Sequence, residues 1–228
     1  MTDDRHPDAT GMPPDGGVPA VPGADAREAQ LLGIACRLFA RKGYDATSLR
    51  DIADEARITK AALYYYFPNK DALYERVVIE SLQALVTAAR AAVERAPTPT
   101  EKLRAYMRAS ARRMEEHRDQ WLAGSNAFWQ ASNTGQRGAA LRLRDEYEQL
   151  LRDCIAASVA AGELRSVDVA MAGRLMLSCL NQLPRWHRLG GPLSSFDVID
   201  QYLDMLLLGL INRAGPPAAA GPEPEETP

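Results

Sequence analysis

The fold class that this sequence of 228 residues predicts is all-α. Between the two ends of the chain, apolar residues recur at intervals of three and four, the spacing of one helix face, and alternating β-branched runs are rare. Proline and glycine interrupt this pattern at residues 96–99, 162 and 190–192, so the stretches between them have the length of helices. Residues 1–24 and 215–228 are rich in proline, glycine and acids instead, and we expect both to be disordered tails.

The first two helices are predicted from their end signals. The first begins near Asp25, a good N-cap residue, and ends before Gly43, which is expected to adopt a positive φ. The second is capped by Thr47 or Ser48, and Asp51 in its first turn completes a capping box. The sequence therefore predicts a long first helix and a short second helix with a brief turn between them.

A short third helix and a long fourth helix come next. Thr59 caps the third, which ends near Phe67, and a Pro-Asn pair separates it from the fourth, over about residues 70–95. Leu63 and Phe67 are expected to pack in the core. The second and third helices with their turn, about residues 48–67, have the lengths of a helix-turn-helix motif.

Five further helices are predicted beyond the break at residues 96–99. Their approximate bounds are Thr100–Arg118, Asp119–Ser132, Arg137–Ala161, Val167–Leu189 and Ser194–Arg213. We therefore divide the folded chain into a three-helix domain over residues 25–73 and a helical domain over residues 74–214, with the long fourth helix joining the two.

The distribution of charge favours a nucleic-acid partner. The net charge is −3, but residues 27–70 carry eight Lys or Arg against five Asp or Glu, a balance of +3. The acidic excess lies in the tails, where residues 1–26 carry five Asp against one Arg and residues 215–228 carry three Glu. A basic segment in an otherwise acidic chain is typical of a surface that meets DNA.

Composition argues against several classes of protein. Cys36, Cys154 and Cys179 are far apart and odd in number, so we expect buried free thiols with no disulfide and no metal site. No signal sequence is visible, and the longest apolar run, residues 205–211, is too short to span a bilayer. No familiar catalytic motif is present. We therefore expect a cytoplasmic protein that contacts no membrane and is not an enzyme.

The third helix carries the side chains expected to reach DNA. Thr59 and Lys60 lie at its N-terminus, where backbone amides favour a phosphate. Ala61 is small enough to approach a thymine methyl, and the phenols of Tyr64 and Tyr65 can donate to phosphates. The alternative is a solvated helix face, which rarely carries several aromatic residues. The predicted DNA-contacting residues are Ser48, Arg50, Thr59, Lys60, Ala61, Tyr64, Tyr65 and Lys70.

A resemblance to the TetR family of bacterial transcriptional repressors is carried by residues 35–73, ACRLFARKGYDATSLRDIADEARITKAALYYYFPNKDAL. The Leu-Phe, Gly-Tyr, Thr-Ser, Ile-Ala, Leu-Tyr-Tyr-Tyr-Phe and Lys-Asp-x-Leu groups all fall in the register of that family. The resemblance implies a homodimer that binds a double-stranded DNA operator and releases it when a small effector enters the C-terminal domain. Arg57 departs from the glycine common in the family, and a positive φ there would strain the residue by about 1 kcal/mol.

Aromatic residues in the C-terminal domain line an effector pocket or simply fill the core, and the sequence leaves both explanations open. The segment RWHRLGGPLS, residues 185–194, sets a tryptophan among basic residues before a Gly-Gly-Pro turn. It resembles the branch of the TetR family that responds to acyl-coenzyme A thioesters, although a surface loop capping the last helix explains it equally well. The candidate effector residues are Tyr106, Trp121, Phe128, Trp129, Arg185, Trp186 and Arg188. No cofactor other than this effector is expected.

A stripe of arginines lies at Arg104, Arg108 and Arg112, which repeat every four residues and so share one helix face. A solvated face is the favoured interpretation, and an entry path for an anionic ligand is the alternative.

The last two helices are apolar on more than one side, which indicates burial on more than one side. The intrachain core explains part of this surface. A four-helix interface between two subunits, which the resemblance implies, explains the excess. The candidate interface residues are Met171, Leu175, Leu203, Leu206 and Leu210.

These observations predict a dimeric, ligand-responsive transcriptional repressor. One alternative is a repressor of an efflux gene that a hydrophobic drug releases, although a cationic drug would need buried acids that the candidate region lacks. The other alternative, from a different class, is a helical carrier or enzyme for a lipid-type substrate. The basic segment argues against it.

Overall fold

The computed structural model describes residues 24–123 and 137–208, all of which belong to helices or to the turns between them. This confirms the all-α prediction. The predicted tails lie outside the described residues. The helices are α1 Ala24–Lys42, α2 Leu49–Glu55, α3 Lys60–Tyr66, α4 Lys70–Arg95, α5 Pro99–Glu116, α6 over residues 118–123, α7 Arg137–Ala160, α8 Val169–Trp186 and α9 Ser195–Leu208.

Side-chain caps fix where the helices of the N-terminal part begin. Ser48 caps α2 and forms the predicted capping box with Asp51, and Thr59 accepts a hydrogen bond from the amide of Ala62 at the start of α3. Gly43 ends α1 with a φ of 81°, as predicted. The start of α1 differs from the prediction, because the chain is already helical at Ala24 and its cap is not Asp25.

Two apolar cores lie along the long helix α4. The first half of α4 packs with α1, α2 and α3, where Leu31, Ile52 and Leu63 are fully buried. Its second half packs with α5, α7, α8 and α9 around Leu103 and Leu180. A helix shared by both cores is the physical means by which a change in one can reach the other.

The arginine stripe on α5 is exposed at Arg108 and Arg112 and partly exposed at Arg104, which agrees with the favoured solvated face, and the stripe also contacts α9. Arg104 Nη2 lies 2.7 Å from an oxygen of Asp204, and Arg108 donates two hydrogen bonds to the carboxylate of Asp200, at 2.7 and 2.8 Å. The Arg112 guanidinium lies 5.2 Å from the centroid of the Phe196 ring. These contacts hold α9 along α5.

The three cysteines are described in the structure. Cys36 and Cys154 are buried free thiols, whereas the free thiol of Cys179 is partly exposed. Within residues 24–123 and 137–208, no helix is long and apolar enough to cross a membrane.

Candidate DNA-binding surface and effector cavity

The turn between α2 and α3 sets the angle at which α3 leaves the domain. Arg57 adopts a φ of 53°, in the left-handed region, and its amide donates to the carbonyl of Asp54 at 3.1 Å. The amide of Ile58 then donates to Ala53 at 3.0 Å. Arg57 therefore has the positive φ that the sequence analysis named as the condition for strain, and its side chain is exposed.

Helix α3 has one face in the core and the opposite face in solvent. Leu63 is fully buried and Phe67, just beyond the helix, is buried, which confirms that both are core residues. The Tyr65 side chain is 83% exposed and that of Tyr64 is 45% exposed. The outward face is made of residues one turn apart, Lys60, Ala61, Tyr64 and Tyr65, all exposed.

Lys60 and Tyr64 act together on this face. The Lys60 ammonium lies 5.5 Å from the centroid of the Tyr64 ring, one turn along the helix. Tyr65 is braced on its other side by Tyr66, whose ring meets it edge to face at 5.3 Å between centroids. The result is a cation and two phenols projecting beside the N-terminus of a helix, a surface suited to phosphates and base edges.

Two of the predicted contact hydroxyls are already engaged in capping. The Ser48 hydroxyl accepts from the Asp51 amide at 3.1 Å and donates to the Asp51 carboxylate at 2.5 Å. Hydrogen bonds from the side chain and backbone of Ser48 are the main reason that the pKa of Asp51 falls to about 2. Thr59 also accepts from the Ala62 amide at 3.1 Å. Arg50 is exposed, 3.8 Å from Asp54, so its guanidinium remains accessible.

Lys70 braces the loop between α1 and α2. Its ammonium donates to the carbonyls of Tyr44 and Thr47, at 2.9 and 3.1 Å, and lies 4.1 Å from the centroid of the Tyr44 ring. An ammonium has three donors, so one is left for a DNA phosphate. A phosphate contact by Lys70 remains a prediction, with a structural role now assigned beside it.

The C-terminal part contains a cavity of about 310 Å³ between α4, α5, α6, α7 and α8. This volume lies at the lower end of the range for small-molecule sites, roughly 300–1,000 Å³. The lining mixes apolar and polar side chains. Its apolar and aromatic members are Leu82, Leu85, Trp121, Leu122, Tyr147 and Leu177, and its polar members are Ser81, Arg113, His117, Gln120, Arg144, Glu148, Ser178, Asn181, Gln182 and Arg185.

Positive charge dominates the cavity. Three arginines, Arg113, Arg144 and Arg185, share it with one carboxylate, that of Glu148, which already forms an ion pair with Arg152. Burial lowers the pKa of both Arg113 and Arg144, because removing a cation from water disfavours its charged form. An anionic ligand would restore part of the solvation that these guanidinium groups have lost.

His117 lies on the same wall of the cavity as Arg113. Its pKa is lowered, first by burial and then by the nearby positive charge of Arg113. The ring is therefore held neutral over a wider pH range than a free histidine, and it can act as either donor or acceptor toward a ligand.

The walls of the cavity differ in exposure. The floor is formed by the buried side chains of Leu85, Trp121 and Tyr147. The α8 wall is exposed at all of its polar positions, which are Ser178, Asn181, Gln182 and Arg185. The opening to solvent therefore lies along α8, with Arg185 beside it.

The candidate effector residues are only partly brought together. Trp121 and Arg185 line the cavity. Tyr106 does not, because it is fully buried behind Tyr147, with its hydroxyl donating to the Tyr147 carbonyl at 2.9 Å and the two rings stacked at 4.8 Å. This corrects the assignment of Tyr106 to the ligand. Phe128 and Trp129 lie outside the described residues.

Trp186 and Arg188 are exposed but lie outside the cavity lining. The Trp186 ring is 6.4 Å from that of Tyr202 on α9, and the carbonyls of Pro184 and His187 accept hydrogen bonds from Arg118. The segment that begins at residue 185 therefore ends α8 and leads to Ser194, which caps α9. The sequence left two interpretations of this segment open, a loop that caps the last helix and a ligand site. Of its three candidate effector residues, only Arg185 lines the cavity.

The sequence interpretation missed Arg113, His117 and Arg144. Arg113 and His117 are one turn apart at the border of the buried stripe of α5, next to Met114 and Ser110. Their position at that border was a signal that could have identified them as cavity residues, because a cation beside an apolar stripe faces either solvent or an interior polar space.

Helices α8 and α9 expose an apolar surface. Met171 and Leu175, one turn apart on α8, are 59% and 51% exposed, and Leu208 on α9 is 76% exposed. Leu206 is half-buried and Leu210 lies outside the described residues. Leu203 is fully buried in the intrachain core, so it has no surface left for a partner subunit, which corrects its assignment to the interface.

Comparisons with known proteins match both parts of the chain. Residues 31–77 match the family model for bacterial regulatory proteins of the tetR family, and residues 96–210 match the model for the tetracyclin repressor-like C-terminal domain. The chain is 31% identical over 191 residues to the HTH-type transcriptional repressor KstR2 of Mycolicibacterium smegmatis, a match that covers 83% of this chain and 93% of KstR2.

Solved structures show the same architecture. The TetR family regulator PfmR from Thermus thermophilus has a TM-score of 0.74 and 37% identity, over 80% of this chain and 100% of PfmR. AibR in complex with isovaleryl coenzyme A and operator DNA has a TM-score of 0.72 over 81% of this chain and 100% of AibR. AibR is 24% identical, so that likeness concerns the fold alone.

Proposed function

The chain belongs to the TetR family of bacterial transcriptional regulators, and from that premise we propose that it is a homodimeric repressor released from its operator by an anionic acyl-coenzyme A thioester. Members of this family are regulators and not enzymes, which removes the enzyme from the alternatives. We assign DNA binding to residues 25–73, which contain nearly all of α1, the helix-turn-helix formed by α2 and α3, and the first residues of α4. A bacterial regulator meets chromosomal DNA in the cytoplasm, which is where we propose that this protein works.

Operator binding is proposed to use the outward face of α3. Lys60, Ala61, Tyr64 and Tyr65 project from it, and Ser48 and Arg50 lie at the start of α2 to meet the adjoining backbone. A helix-turn-helix places its second helix in the major groove, so α3 would read base edges while α2 crosses the phosphates.

The observation that carries the effector proposal is the excess of positive charge in the cavity. Three arginines line it, and the one carboxylate among the lining residues is already paired. This arrangement favours an anion and disfavours the cationic drug of the alternative hypothesis. Arg185 at the opening is suited to the phosphates of coenzyme A, and the complex of AibR with isovaleryl coenzyme A motivates testing thioesters first.

Release is proposed to pass through α4. Ser81, Leu82 and Leu85 of this helix line the cavity, and its N-terminus at Lys70 is bonded to the loop between α1 and α2. A ligand that displaces α4 therefore moves the DNA-binding part of each subunit. Two recognition helices must sit about 34–36 Å apart to enter successive major grooves, so a small displacement lowers operator affinity.

The DNA-binding surface is tested with Lys60→Ala and Tyr64→Phe. Each should weaken operator binding by ~1–3 kcal/mol, because each removes a phosphate or base-edge contact. Binding to a labelled promoter fragment is measured at one fixed, physiological salt concentration. Lys102→Ala, which removes a lysine from α5, is the matched control and should bind like wild type.

Wild-type affinity in both α3 variants, with dimer and melting temperature unchanged, would show that another face contacts DNA.

The effector is tested on the same fragment with a panel of acyl-coenzyme A thioesters. Release by none of them would contradict the proposed effector class.

A further inference from the structure

We propose that the floor of the cavity at Trp121, together with the wall at Arg113, is a carboxylate-binding subsite, so that the effector is a thioester whose acyl chain itself ends in a carboxylate. This inference rests on the proposed function and specifies the part of the ligand that enters deepest. Its residues are Arg113 on α5 and Trp121 on α6.

The direction of the ligand follows from the exposure of the walls. Arg185 is exposed at the opening along α8, whereas Trp121 is only 9% exposed and lies on the floor with Tyr147 and Leu85. The nucleotide therefore stays at the opening, and the acyl chain points toward Trp121 and Arg113.

The floor and the wall at Arg113 offer donors that lack acceptors. The indole N–H of Trp121 is buried and donates to no residue that the structure describes. Arg113 donates to the side-chain oxygen of Gln120 at 2.5 Å. Burial lowers the pKa of Arg113 by more than the charge of the exposed Glu116 raises it. A guanidinium has five N–H donors, so most of those of Arg113 are left for a ligand.

Other lining groups near Arg113 and Trp121 do not supply the missing acceptor. The Tyr147 hydroxyl donates to Ser110 at 2.6 Å, and the Glu148 carboxylate is paired with Arg152. His117 has its pKa lowered beside Arg113, so it adds a neutral polar ring and not a counter-charge.

A carboxylate fits this set of donors better than an alkyl end. Its two oxygens can accept a pair of hydrogen bonds from Arg113 and a third from Trp121. A neutral acyl chain would remove the remaining water from both donors and leave them unpaired, which costs free energy. The cavity should therefore discriminate against simple fatty acyl chains by leaving its own polar groups unsatisfied.

The experiment compares glutaryl-coenzyme A with hexanoyl-coenzyme A, which share the coenzyme and have chains of similar length. Dissociation constants are measured by titration calorimetry on the intact protein, and operator release is followed in parallel. Glutaryl-coenzyme A should bind at least about tenfold more tightly, which corresponds to a difference of about 1.4 kcal/mol.

Two variants test which residues cause the preference for glutaryl-coenzyme A over hexanoyl-coenzyme A. Arg113→Met should abolish it by weakening the glutaryl thioester while leaving the hexanoyl thioester unchanged. Trp121→Phe should reduce the preference severalfold, because it removes the N–H and keeps an aromatic ring on the floor. Arg112→Met is the matched control, since Arg112 is the neighbouring arginine but faces Phe196 on α9, and it should retain the preference. Melting temperatures verify that each variant is folded.

The outcomes separate this inference from the proposed function. Equal binding of both thioesters, or a preference unaffected by Arg113→Met, would overturn the carboxylate subsite while the acyl-thioester effector stands. Binding of neither thioester, with free glutarate also failing to bind, would overturn both. Free glutarate binding as tightly as its thioester, and losing that affinity in Arg113→Met, would support the subsite and contradict the coenzyme A part of the proposal.

Discussion

The backbone of this protein is strained at a single residue of the turn before α3, Arg57. Its φ of 53° places an L-residue with a full side chain in the left-handed region, at the turn that sets the angle of α3. That conformation costs roughly 1–2 kcal/mol relative to a glycine free of the steric conflict. The side chain is exposed and lies beside the proposed DNA surface, where a phosphate contact would compensate for the strain.

Arg57→Gly is therefore expected to raise the free energy of unfolding by about 0.5–1 kcal/mol, because relief of strain exceeds the added entropy of glycine in the unfolded chain. Thermal or urea unfolding measures it. Arg57→Ala removes the same charge but keeps the strain, so it should not stabilise the protein. If Arg57→Gly is less stable than Arg57→Ala by the roughly 0.5–1 kcal/mol that glycine entropy costs, the backbone here is not strained. If both variants bind the operator more weakly by a similar factor, the loss is attributable to the charge.

Residue-level prediction from the sequence succeeded where the signal is local. The capping by Ser48 and Thr59 and the positive φ of Gly43 follow from contacts within a few residues of each position. Prediction from the sequence failed for residues whose packing partners come from helices distant in the sequence. Tyr106 is hidden behind Tyr147, which is 41 positions away in the sequence, and no periodicity in α5 alone reveals that arrangement.

At the scale of helices, α6 connects the cavity with the DNA-binding part. Gln120, Trp121 and Leu122 line the cavity, and the next residue, Ala123, is buried in the core formed with α1–α4. The carbonyl of Ala123 accepts a hydrogen bond from the Tyr74 hydroxyl at 3.2 Å. Burial raises the pKa of Tyr74 to about 12, so the phenol stays protonated and remains a donor throughout the physiological range.

The Tyr74 ring extends this connection toward the loop before α2. Its centroid lies 4.8 Å from that of Phe39 and 4.7 Å from that of Tyr44, and Tyr44 is also the residue whose carbonyl accepts from Lys70. A displacement of α6 by a ligand against Trp121 therefore acts on an aromatic cluster within the DNA-binding part. This route adds to the direct effect of a ligand on α4.

Tyr74→Phe tests that route. The variant should bind the operator like wild type but require about 2- to 10-fold more effector for release, since one buried hydrogen bond is typically worth about 0.5–1.5 kcal/mol. Operator release is titrated with the same thioester for both proteins. Tyr66→Phe is the control, because it removes a hydroxyl from the DNA-binding part for which the structure records no hydrogen bond with a described residue. An unchanged release curve for Tyr74→Phe would mean that coupling runs through α4 alone.

The sequence predicted most of the helices but not how they pack. Cap residues and the apolar period identify α2, α3 and α4 to within a residue or two, because those signals are local. The pairing of the α5 arginines with Asp200 and Asp204 joins positions about a hundred residues apart, so it appears only in the folded chain. The same limit explains why the cavity arginines Arg113 and Arg144 were not identified.

For the whole molecule, the cavity opening and the apolar surface lie on the same helix. Met171 and Leu175 are exposed on α8, and Ser178, Gln182 and Arg185 follow along it at helical spacing to form part of the cavity wall. A second subunit seated on Met171 and Leu175 would therefore adjoin the opening. Effector binding and subunit packing would then influence each other, and one ligand would thereby change the separation of two DNA-binding parts.

Leu175→Arg is expected to convert the proposed dimer to a monomer that no longer binds a two-half-site operator. Leu175 is 51% exposed in the single subunit, so arginine can be accommodated there without disturbing the core, but a partner would bury its charge without a counter-ion. Light scattering measures the mass, and the melting curve verifies the fold. Thr87→Arg, at an exposed position of α4, introduces the same residue elsewhere and should leave the dimer intact. A dimeric Leu175→Arg variant with normal operator affinity would place the subunit interface on another surface, and the proposed link between effector and partner would fall with it.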